Sequence, residues 1–381
     1  MSIINRLNYW LETHACTPAY AGLLLAGIAF SFFAAATNTM AGWLYVISGL
    51  IIALLGLAAV LPPRTLKQIQ VRRQPISPVS VGEQLTIILE IKNQSLKPKT
   101  FLQIQDILQS ELGKIVETPV EVINPQSTYE WVYYQPTKKR GVYRWQEVHL
   151  RTATPLGLFW CRRSWKAPAV AIVYPTVLPL TSCPLIDKIG QDDSAKTFSA
   201  RRSNAAVEDI TRTLRPYRIG DPTRLIHWRT SARHGDLRVR ELEVFTGSQD
   251  IVICLDSANS WNFDDFEQAV TAAASIYFYA MKIQLSVKLW TARTGLIQGN
   301  QVVLEALAAT QAGEDAEGGK LPNLPLIWLT QNSISLNTLP LGSRWLMWQK
   351  AASEKAMNNS DSGIIIDTTE PLQTQLQRPL R

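Results

Sequence analysis

The sequence predicts a mixed fold: an N-terminal transmembrane helical hairpin, a β-sandwich-like domain and an α/β domain. No Asp, Glu, Lys or Arg occurs from Thr13 to Pro63. Short strand patterns punctuated by Pro, Gly and Asn follow, and after Gln249 continuous apolar runs alternate with helical patterns. The predicted divisions are 1–65 for the hairpin, 66–176 for the β-sandwich-like domain, 177–245 for a linker and Arg-rich segment, 246–370 for the α/β domain and 371–381 for a disordered tail.

The composition suits two or three folded domains. The chain has 381 residues, of which 46% are hydrophobic and 18% charged, so it can bury real cores. The formal net charge of +7 favours anionic membrane surfaces or acidic partners. The four cysteines form neither a CxxC pair nor a Cys/His cluster, which argues against a zinc site and a disulfide framework.

Two apolar runs predict the membrane hairpin. They extend from Ala19 to Ala36 and from Met40 to Leu61, with Thr37-Asn38-Thr39 between them as the predicted turn. Each is close to the roughly 20 residues that a helix needs to cross the hydrocarbon core. Paired helices also satisfy their own backbone hydrogen bonds in lipid. A signal peptide cleaved near Ala34-Ala35-Ala36 is the alternative, but a second full-length run follows at once.

The charges that flank the two runs predict the orientation. Arg6 precedes the first run, the following segment is cationic, and the turn carries no charge. Cationic flanks stay on the cytoplasmic side of a membrane. We therefore expect a multi-pass protein of the inner (plasma) membrane with its soluble domains in the cytoplasm. The flanking cations after the second run are Arg64, Lys67, Arg72 and Arg73.

Strand patterns predict the two soluble domains. In the first, at least five short strands separated by turn residues indicate a β-sandwich. In the second, apolar strands alternate with helices, which indicates a largely parallel sheet. The strands of the first are predicted at Leu85–Ile91, Thr100–Ile107, Tyr129–Tyr134, Val142–Leu150 and Ala169–Val173. The second is predicted to contain strands at Ile251–Leu255, Gln284–Trp290, Leu326–Leu329, Trp345–Trp348 and Ile364–Ile366, and helices at Asp264–Lys282 and Gln301–Thr310.

The segment from Arg212 to Glu243 is called the Arg cassette below, and the window from Arg201 to Glu243 contains ten Arg, no Lys and six acidic residues. Guanidinium groups pair in a two-pronged manner with carboxylates or phosphates. The cassette could therefore form an internal ion network, a surface for a protein partner, or a phosphate or nucleic-acid site. The interleaved acids and the lack of a nucleic-acid-binding motif argue against the last.

Three cassette residues have the types of a hydrolase triad, namely Asp221, His227 and Ser231. A triad is defined by geometry, and no Gly-x-Ser-x-Gly elbow is present. We therefore predict that the protein is not an enzyme.

At the cassette the sequence resembles a bacterial family known as domain of unknown function 58. The motifs that carry the resemblance include Arg215-Pro216-Tyr217, Gly220-Asp221-Pro222 and Ser231-Ala232-Arg233, together with Thr154-Pro155-Leu156-Gly157-Leu158-Phe159 upstream. The order of the segments along the chain is also similar to that of the family. The candidate residues for partner binding or for a structural cassette are Arg215, Tyr217, Gly220, Asp221, Arg224, His227, Trp228, Arg229, Arg233, Arg240 and Glu241.

The resemblance implies that the last domain is similar to a von Willebrand factor type A domain. Such domains are doubly wound sheets with a metal-dependent site, Asp-x-Ser-x-Ser, at the end of the first strand. The corresponding stretch is Asp256-Ser257-Ala258-Asn259-Ser260, in which Asp256 and Ser260 fit and Ala258 lacks a hydroxyl. Mg²⁺ needs several oxygen ligands. A vestigial strand end and a degenerate Mg²⁺ site both remain open.

The family often accompanies MoxR-type AAA+ ATPases, which implies a scaffold or adaptor in protein assembly or maturation. The chain contains no Gly-x-x-x-x-Gly-Lys-Ser/Thr motif, so any ATP chemistry would belong to such a partner. We expect protein partners and the lipid bilayer, and neither nucleic acid nor a cofactor other than Mg²⁺. A metal-dependent adhesion module and a membrane hydrolase are the alternative functions.

Overall fold

The computed structural model describes residue 12 and residues 16–187, 211–216, 228–242, 251–319, 321–322, 324–340, 342–348 and 363–379. The chain forms two compact units, Met1–Pro175 and Thr176–Arg381. The first contains an apolar helical pair and a β-rich part, and the second is an α/β unit. The mixed α and β character predicted from the sequence is thereby confirmed.

The apolar helices are α1 (Tyr20–Thr39) and α2 (Gly42–Thr65), and both are long and apolar enough to cross a membrane. They pack through small residues, and the Ser48 hydroxyl donates a hydrogen bond to the Ala29 carbonyl over 3.0 Å. Large side chains such as Leu23, Phe30 and Leu50 point outward. Small residues at the helix contact and large apolar ones outside are typical of paired membrane helices.

The turn between the helices lies later than predicted. Thr37-Asn38-Thr39 forms the last residues of α1, and the Thr37 and Thr39 hydroxyls donate to backbone carbonyls in the preceding turn of the same helix, each over 2.7 Å. Helix α1 ends at Thr39, and the next residue, Met40, has a left-handed φ of 52°. The predicted position of the turn is therefore wrong.

Helix α2 extends past the predicted end at Leu61, although Pro62 and Pro63 lie in its last turn. Pro63 has no N–H to offer the Ala59 carbonyl, four residues earlier. The Cys16 thiol donates to that carbonyl instead, over 3.4 Å. A thiol outside the helix therefore provides the hydrogen bond that the Ala59 carbonyl cannot receive from Pro63.

The β-rich part consists of two sheets around one core. Strands β2, β4 and β7 form an antiparallel three-stranded sheet, and the six-stranded sheet has the order β1-β9-β8-β5-β6, with β3 beside β9. Buried residues from both sheets, including Ile87, Leu89, Ile104 and Leu150, form one cluster. The strands are β1 (Thr17–Pro18), β2 (Ile69–Arg73), β3 (Val79–Ser80), β4 (Gln84–Asn93), β5 (Lys99–Asp106), β6 (Val116–Ile123), β7 (Thr128–Pro136), β8 (Gly141–Thr152) and β9 (Phe159–Tyr174).

Strand β6 was not predicted. Among the described strands it pairs only with β5, and it contains Glu117, Pro119 and Glu121. Proline is tolerated in an edge strand because one side of such a strand needs no N–H donor. Charged and proline residues also protect an edge from pairing with other chains. These features conceal the strand pattern in the sequence.

Arg73, predicted as a cationic membrane flank, lies in the protein interior. Its guanidinium makes two hydrogen bonds to the buried Asp106 carboxylate, over 2.5 and 3.0 Å. The same carboxylate accepts from the Tyr133 hydroxyl over 2.6 Å and from the Trp145 indole over 3.1 Å. Arg73 is therefore unavailable to lipid headgroups, and its assignment as a flank is corrected.

Part of the predicted linker belongs to the α/β core. The short helix α3 (Pro184–Asp187) follows Cys183, and Cys183, Leu185 and Ile186 are buried in the main apolar cluster of this unit. Further along are strand β10 (Thr211–Pro216), helix α4 (Trp228–His234) and strand β11 (Arg238–Leu242). The burial of Leu185 and Ile186 in this cluster shows that the segment around them is part of the folded unit and not a linker.

The second unit contains a six-stranded sheet with the order β14-β13-β12-β15-β16-β17. All adjacent pairs are parallel except β13–β14. Numbered within the sheet, this is the doubly wound order 3-2-1-4-5-6. The elements are β12 (Ile251–Leu255), α5 (Phe263–Lys282), β13 (Val287–Thr291), β14 (Gly295–Ile297), α6 (Asn300–Ala309), β15 (Leu326–Thr330), a 3₁₀ helix at Ser333–Thr338, β16 (Arg344–Trp348) and β17 (Gly363–Ile366).

The predicted disordered tail is ordered through residue 379, so that prediction is wrong. Helix α7 (Leu372–Leu376) buries Leu376 in the core of the α/β unit. The Gln375 amide donates to the carbonyls of Asp367 and Glu370, over 2.6 and 3.0 Å. Burial of a leucine and these hydrogen bonds offset the entropy cost of ordering a terminal segment.

Candidate functional site

The two ends of the Arg cassette meet in a β-ribbon. Strand β10 pairs antiparallel with β11, and the register places Arg215 opposite Val239 and Leu214 opposite Arg240. Arg215 and the Arg240-Glu241 pair, distant in sequence, therefore lie on adjacent strands. Of the other candidates, Tyr217, Gly220, Asp221, Arg224 and His227 lie outside the described residues.

Helix α4 presents an aromatic and basic surface. The Trp228 side chain is 64% exposed, and Arg229 and Arg233 are exposed as well. Tryptophan and arginine are the residue types that most often dominate the energy of protein interfaces. We call Trp228, Arg229 and Arg233 the α4 surface.

Ser231, on the same helix, has a structural role in the described part of the cassette. Its side chain is buried, and its hydroxyl oxygen accepts a hydrogen bond from the Arg238 N–H over 2.8 Å. This bond joins α4 to the start of β11. A hydroxyl held in this way is poorly placed to act as an exposed nucleophile.

A second polar cluster lies at the carboxyl ends of β12 and β15, where the strand order reverses. Asp256 follows β12 directly and is buried. Its Oδ2 atom accepts from the Asn259 amide over 2.6 Å and from the Thr330 hydroxyl over 2.7 Å. The crevice at such a switch point is the usual ligand site of doubly wound sheets. We call Asp256, Asn259 and Thr330 the switch-point cluster.

A neighbouring set of side-chain hydrogen bonds connects the start of α5 to the loop after β15. The Asp265 Oδ2 atom accepts from the Gln331 amide over 2.7 Å and from the Asn262 amide over 3.1 Å. The Asn262 N–H donates to the Gln331 side chain over 3.0 Å. These bonds cross-link the loop after β12 to the loop after β15, so both loops are held by side-chain amides.

The geometry around Asp256 fits a divalent cation poorly. Amide and hydroxyl donors already occupy Oδ2, Ala258 offers no side-chain oxygen, and Ser260 is exposed. The Ser257 hydroxyl accepts from the Ala292 N–H over 3.0 Å. Within the described residues, no group of three or more His, Cys, Asp or Glu side chains could hold a metal ion. A hard cation such as Mg²⁺ needs more oxygen ligands around one position than these residues provide.

Thr330, Asp265 and Gln331 were not identified from the sequence. Thr330 is the last residue of β15, and Gln331 follows it. Strand β15 pairs with β12 in the sheet. Only the order of the strands shows that the residues after β15 face those after β12. The available signal was a polar Thr-Gln-Asn stretch directly after a buried strand.

Comparison with known proteins identifies one family. A model described as "Protein of unknown function DUF58" matches residues 213–310. This range includes much of the Arg cassette and continues through the switch-point residues Asp256 and Asn259.

The "Uncharacterized protein YeaD" of Bacillus subtilis (strain 168) is 22% identical over 232 residues. The match covers 60% of this chain and 56% of that relative, so the chain spans little more than half the length of the relative it matches.

Solved structures offer weak likenesses. The CARDB domain of the PF1109 protein from Pyrococcus furiosus has a TM-score of 0.20 and 10% identity, covering 26% of this chain and 86% of that one. A β-glucosidase from Listeria innocua has a TM-score of 0.15 and 12% identity, covering 26% of this chain and 16% of that one. These values are too low to carry an argument about fold or function.

Proposed function

The chain is a member of the DUF58 family through residues 213–310, and from this premise we propose that it is a membrane-anchored, non-enzymatic scaffold or adaptor. The two apolar helices anchor it in the inner (plasma) membrane as a multi-pass protein. The β-rich part and the α/β unit lie in the cytoplasm and engage protein partners. The helical pair is the observation that carries the proposal.

The helical pair supports membrane anchoring in two ways. Its outward surface carries large apolar side chains, and its buried contact includes Ala29, Ala36 and Ser48. Exposing such a surface to water is unfavourable, whereas lipid covers it without cost. Both helices also join the β-rich part, so an anchor and a folded cytoplasmic unit are directly connected.

The flanking charges support the cytoplasmic orientation. Arg64 is exposed in the last turn of α2, Lys67 and Arg72 are exposed after it, and Met40-Ala41 between the helices carries no charge. Cationic segments are retained on the cytoplasmic side. The two helix ends that adjoin the β-rich part then lie at the inner face.

Protease cleavage of tagged protein tests the orientation. One variant carries a cleavable tag after Arg381, and a matched variant carries the same tag between Met40 and Ala41. We expect the C-terminal tag to be cut only in inside-out vesicles and the other tag only in right-side-out vesicles. Cleavage of the C-terminal tag in right-side-out vesicles would contradict the proposal.

The α4 surface supports binding of a protein partner, and the family resemblance points to a MoxR-type AAA+ ATPase. Affinity purification of the full chain in detergent, with several nucleotides, tests this partner. We expect recovery of an AAA+ ATPase and a reduced yield with Trp228→Ala combined with Arg233→Ala. The control Ile334→Ala removes an exposed apolar side chain elsewhere on the same unit and should leave the yield unchanged. Equal recovery with both variants would remove the α4 surface from the proposal.

We further propose that the α/β unit is a von Willebrand factor type A-like domain that acts without a metal. The strand order and the position of Asp256 after the first strand support the likeness. The donors that occupy Asp256 support action without a metal. Calorimetric titration of the reconstituted protein with Mg²⁺ should then give no saturable heat. Saturable heat that Asp256→Ala abolishes would instead favour the metal-dependent adhesion module.

A further inference from the structure

One end of the β-rich part gathers the connections that adjoin the apolar helices. The Lys99 ammonium donates to the Lys67 carbonyl over 3.0 Å, and the Gln94 N–H donates to the Gln68 carbonyl over 2.9 Å. Lys67 and Gln68 directly follow α2. The register of the sheets brings four segments to this end, namely residues 66–68, 94–98, 124–127 and 153–158. We call it the helix-proximal end.

The connection between β8 and β9 reaches the first turn of α1. The Ala19 N–H donates to the Leu158 carbonyl over 2.8 Å, and Gly22 lies directly against the same carbonyl. Helix α1 has 20 residues and is about 30 Å long, the thickness of a hydrocarbon core. Its first turn therefore coincides with the bilayer surface, and the β8–β9 connection lies at the same level.

Large apolar side chains are exposed at the helix-proximal end. Leu96 is 80% exposed, Phe101 71% and Leu156 42%. Phe101 lies near the start of β5 with a left-handed φ of 50°, and its carbonyl accepts from the Thr152 hydroxyl over 3.2 Å. Single exposed apolar residues are ordinary, but three at the end that adjoins the membrane helices indicate contact with an apolar phase.

The charges of this end match an anionic lipid surface. The four connecting segments contain Lys67 and Lys97 and no Asp or Glu. At the opposite end of the sheets, the connections 74–83, 107–115 and 137–140 contain Glu83 and Glu111 together with Lys114, Lys138, Lys139 and Arg140, so the two ends differ in their acidic residues and not in net charge. Acidic residues would be repelled by anionic headgroups, whereas each nearby lysine is attracted to them.

We propose that the helix-proximal end of the β-rich part docks on the bilayer that holds α1 and α2. Leu96, Phe101 and Leu156 insert at the boundary between headgroups and acyl chains, and Lys67 and Lys97 contact lipid phosphates. The Thr154–Phe159 motif of the sequence thereby acquires a function as a membrane-contact loop. This inference rests on the proposed membrane anchoring of the helices.

Spin labels in lipid nanodiscs containing phosphatidylglycerol test the docking. Single cysteines replace Leu96 or Leu156 in full-length protein whose own cysteines are replaced, and a label at Ile115 serves as control. Ile115 is an apolar residue of 58% exposure at the opposite end. A label at Leu50, on the outward surface of α2, reports membrane insertion of the helices themselves.

We expect labels at 96 and 156 to collide with oxygen more than with a water-soluble nickel complex, and the label at 115 to show the reverse. Aqueous behaviour at 96 and 156 with a lipid signal at 50 would overturn the docking and leave the anchor intact. Aqueous behaviour at 50 as well would overturn both. Shielding of 96 and 156 from both reagents would mean that protein covers this end, which also overturns the docking.

Hydroxyl-radical footprinting of the unmodified protein provides a measurement without substitutions. In the same nanodiscs we expect several-fold less oxidation at Leu96 and Phe101 than at Ile115, despite their greater exposure in the free fold. Lys97→Gln should increase oxidation at Leu96, whereas Lys138→Gln, an exposed lysine at the opposite end, should not. Equal oxidation of Leu96, Phe101 and Ile115 would contradict the inference.

Discussion

Gly22, in the first turn of α1, lies directly against the backbone carbonyl of Leu158 in the β8–β9 connection. A side chain at position 22 would overlap that carbonyl, and a backbone atom cannot move aside as a flexible side chain can. The close approach therefore depends on glycine. It fixes the helix to the β-rich part at the level where the chain enters the apolar helix.

Replacing Gly22 tests this close approach. Gly22→Ala should destabilise the reconstituted protein by about 1–3 kcal/mol, since overpacking forces the backbone to shift. Gly27→Ala in the same helix meets open space and should leave stability unchanged or slightly raised, because alanine favours helix. Thermal unfolding of both variants in nanodiscs provides the measurement, and equal melting temperatures would argue against the contact.

Asp106 is expected to be the most sensitive carboxylate of the β-rich part. Asp106→Ala leaves the buried Arg73 guanidinium without its carboxylate partner and removes acceptors from Tyr133 and Trp145. Breaking a buried ion pair in this way costs about 3–5 kcal/mol. Urea unfolding in detergent measures the loss. Glu121→Ala, which removes an exposed carboxylate from the same unit, should be neutral, and a similar loss in both variants would contradict the assigned role.

His149 should make stability depend on pH. Burial and the nearby Arg162 lower the pKa of His149, against the opposing effects of Glu147 and Glu12. The unfolded state, with a histidine pKa of about 6.5, then binds a proton before the folded state does. The stabilisation is therefore present above about pH 6.5 and is lost as the pH falls below it.

Urea unfolding at about pH 7.5 and about pH 5.5 measures this dependence on either side of the ordinary histidine pKa. His149→Gln should reduce the difference in stability between the two conditions. An undiminished difference in the variant would assign the pH dependence to other groups.

Cys16 and Cys161 should form a disulfide under mild oxidation. The β1–β9 register, continued by one residue, places them opposite each other, and a hydrogen bond from the Cys161 thiol lowers the pKa of Cys16. Opposite residues in antiparallel strands have Cα atoms about 4.5–5.5 Å apart, which a disulfide can span. Copper phenanthroline is the oxidant, and peptide mass spectrometry identifies the bond.

The other two cysteines serve as internal controls for this oxidation. Burial raises the pKa of Cys183 to about 11 and also raises that of Cys254. Both should stay reduced, because the thiolate is the reactive form. The pKa of Cys161 is raised as well, but Cys161 lies opposite Cys16, whose lowered pKa supplies the reactive thiolate. Cys16→Ser should abolish the new bond. Free Cys16 after oxidation of the unmodified protein would show that the register does not continue past Thr17.

Several elements could be read from local sequence alone. The charge-free stretch from Thr13 to Pro63 predicts paired apolar helices, because water disfavours so large an apolar surface and lipid disfavours unpaired backbone groups. The apolar run at Ile251–Leu255 likewise predicts a strand covered on both faces, and all five of its residues are buried. Length, charge and periodicity are local properties, so they need no knowledge of neighbours.

Other features were decided only by tertiary contacts. The sequence predicts Arg73 to be a membrane flank, but the fold pairs it with the buried Asp106. Leu376 is predicted to lie in a disordered tail, but it is buried in the α/β core. Thr330 joins Asp256 only because β15 pairs with β12 across the intervening helices and strands. The sequence by itself determined which segments must be buried or membrane-embedded. The partners of each polar group were decided by strand order and packing, because these contacts join residues that are distant along the chain.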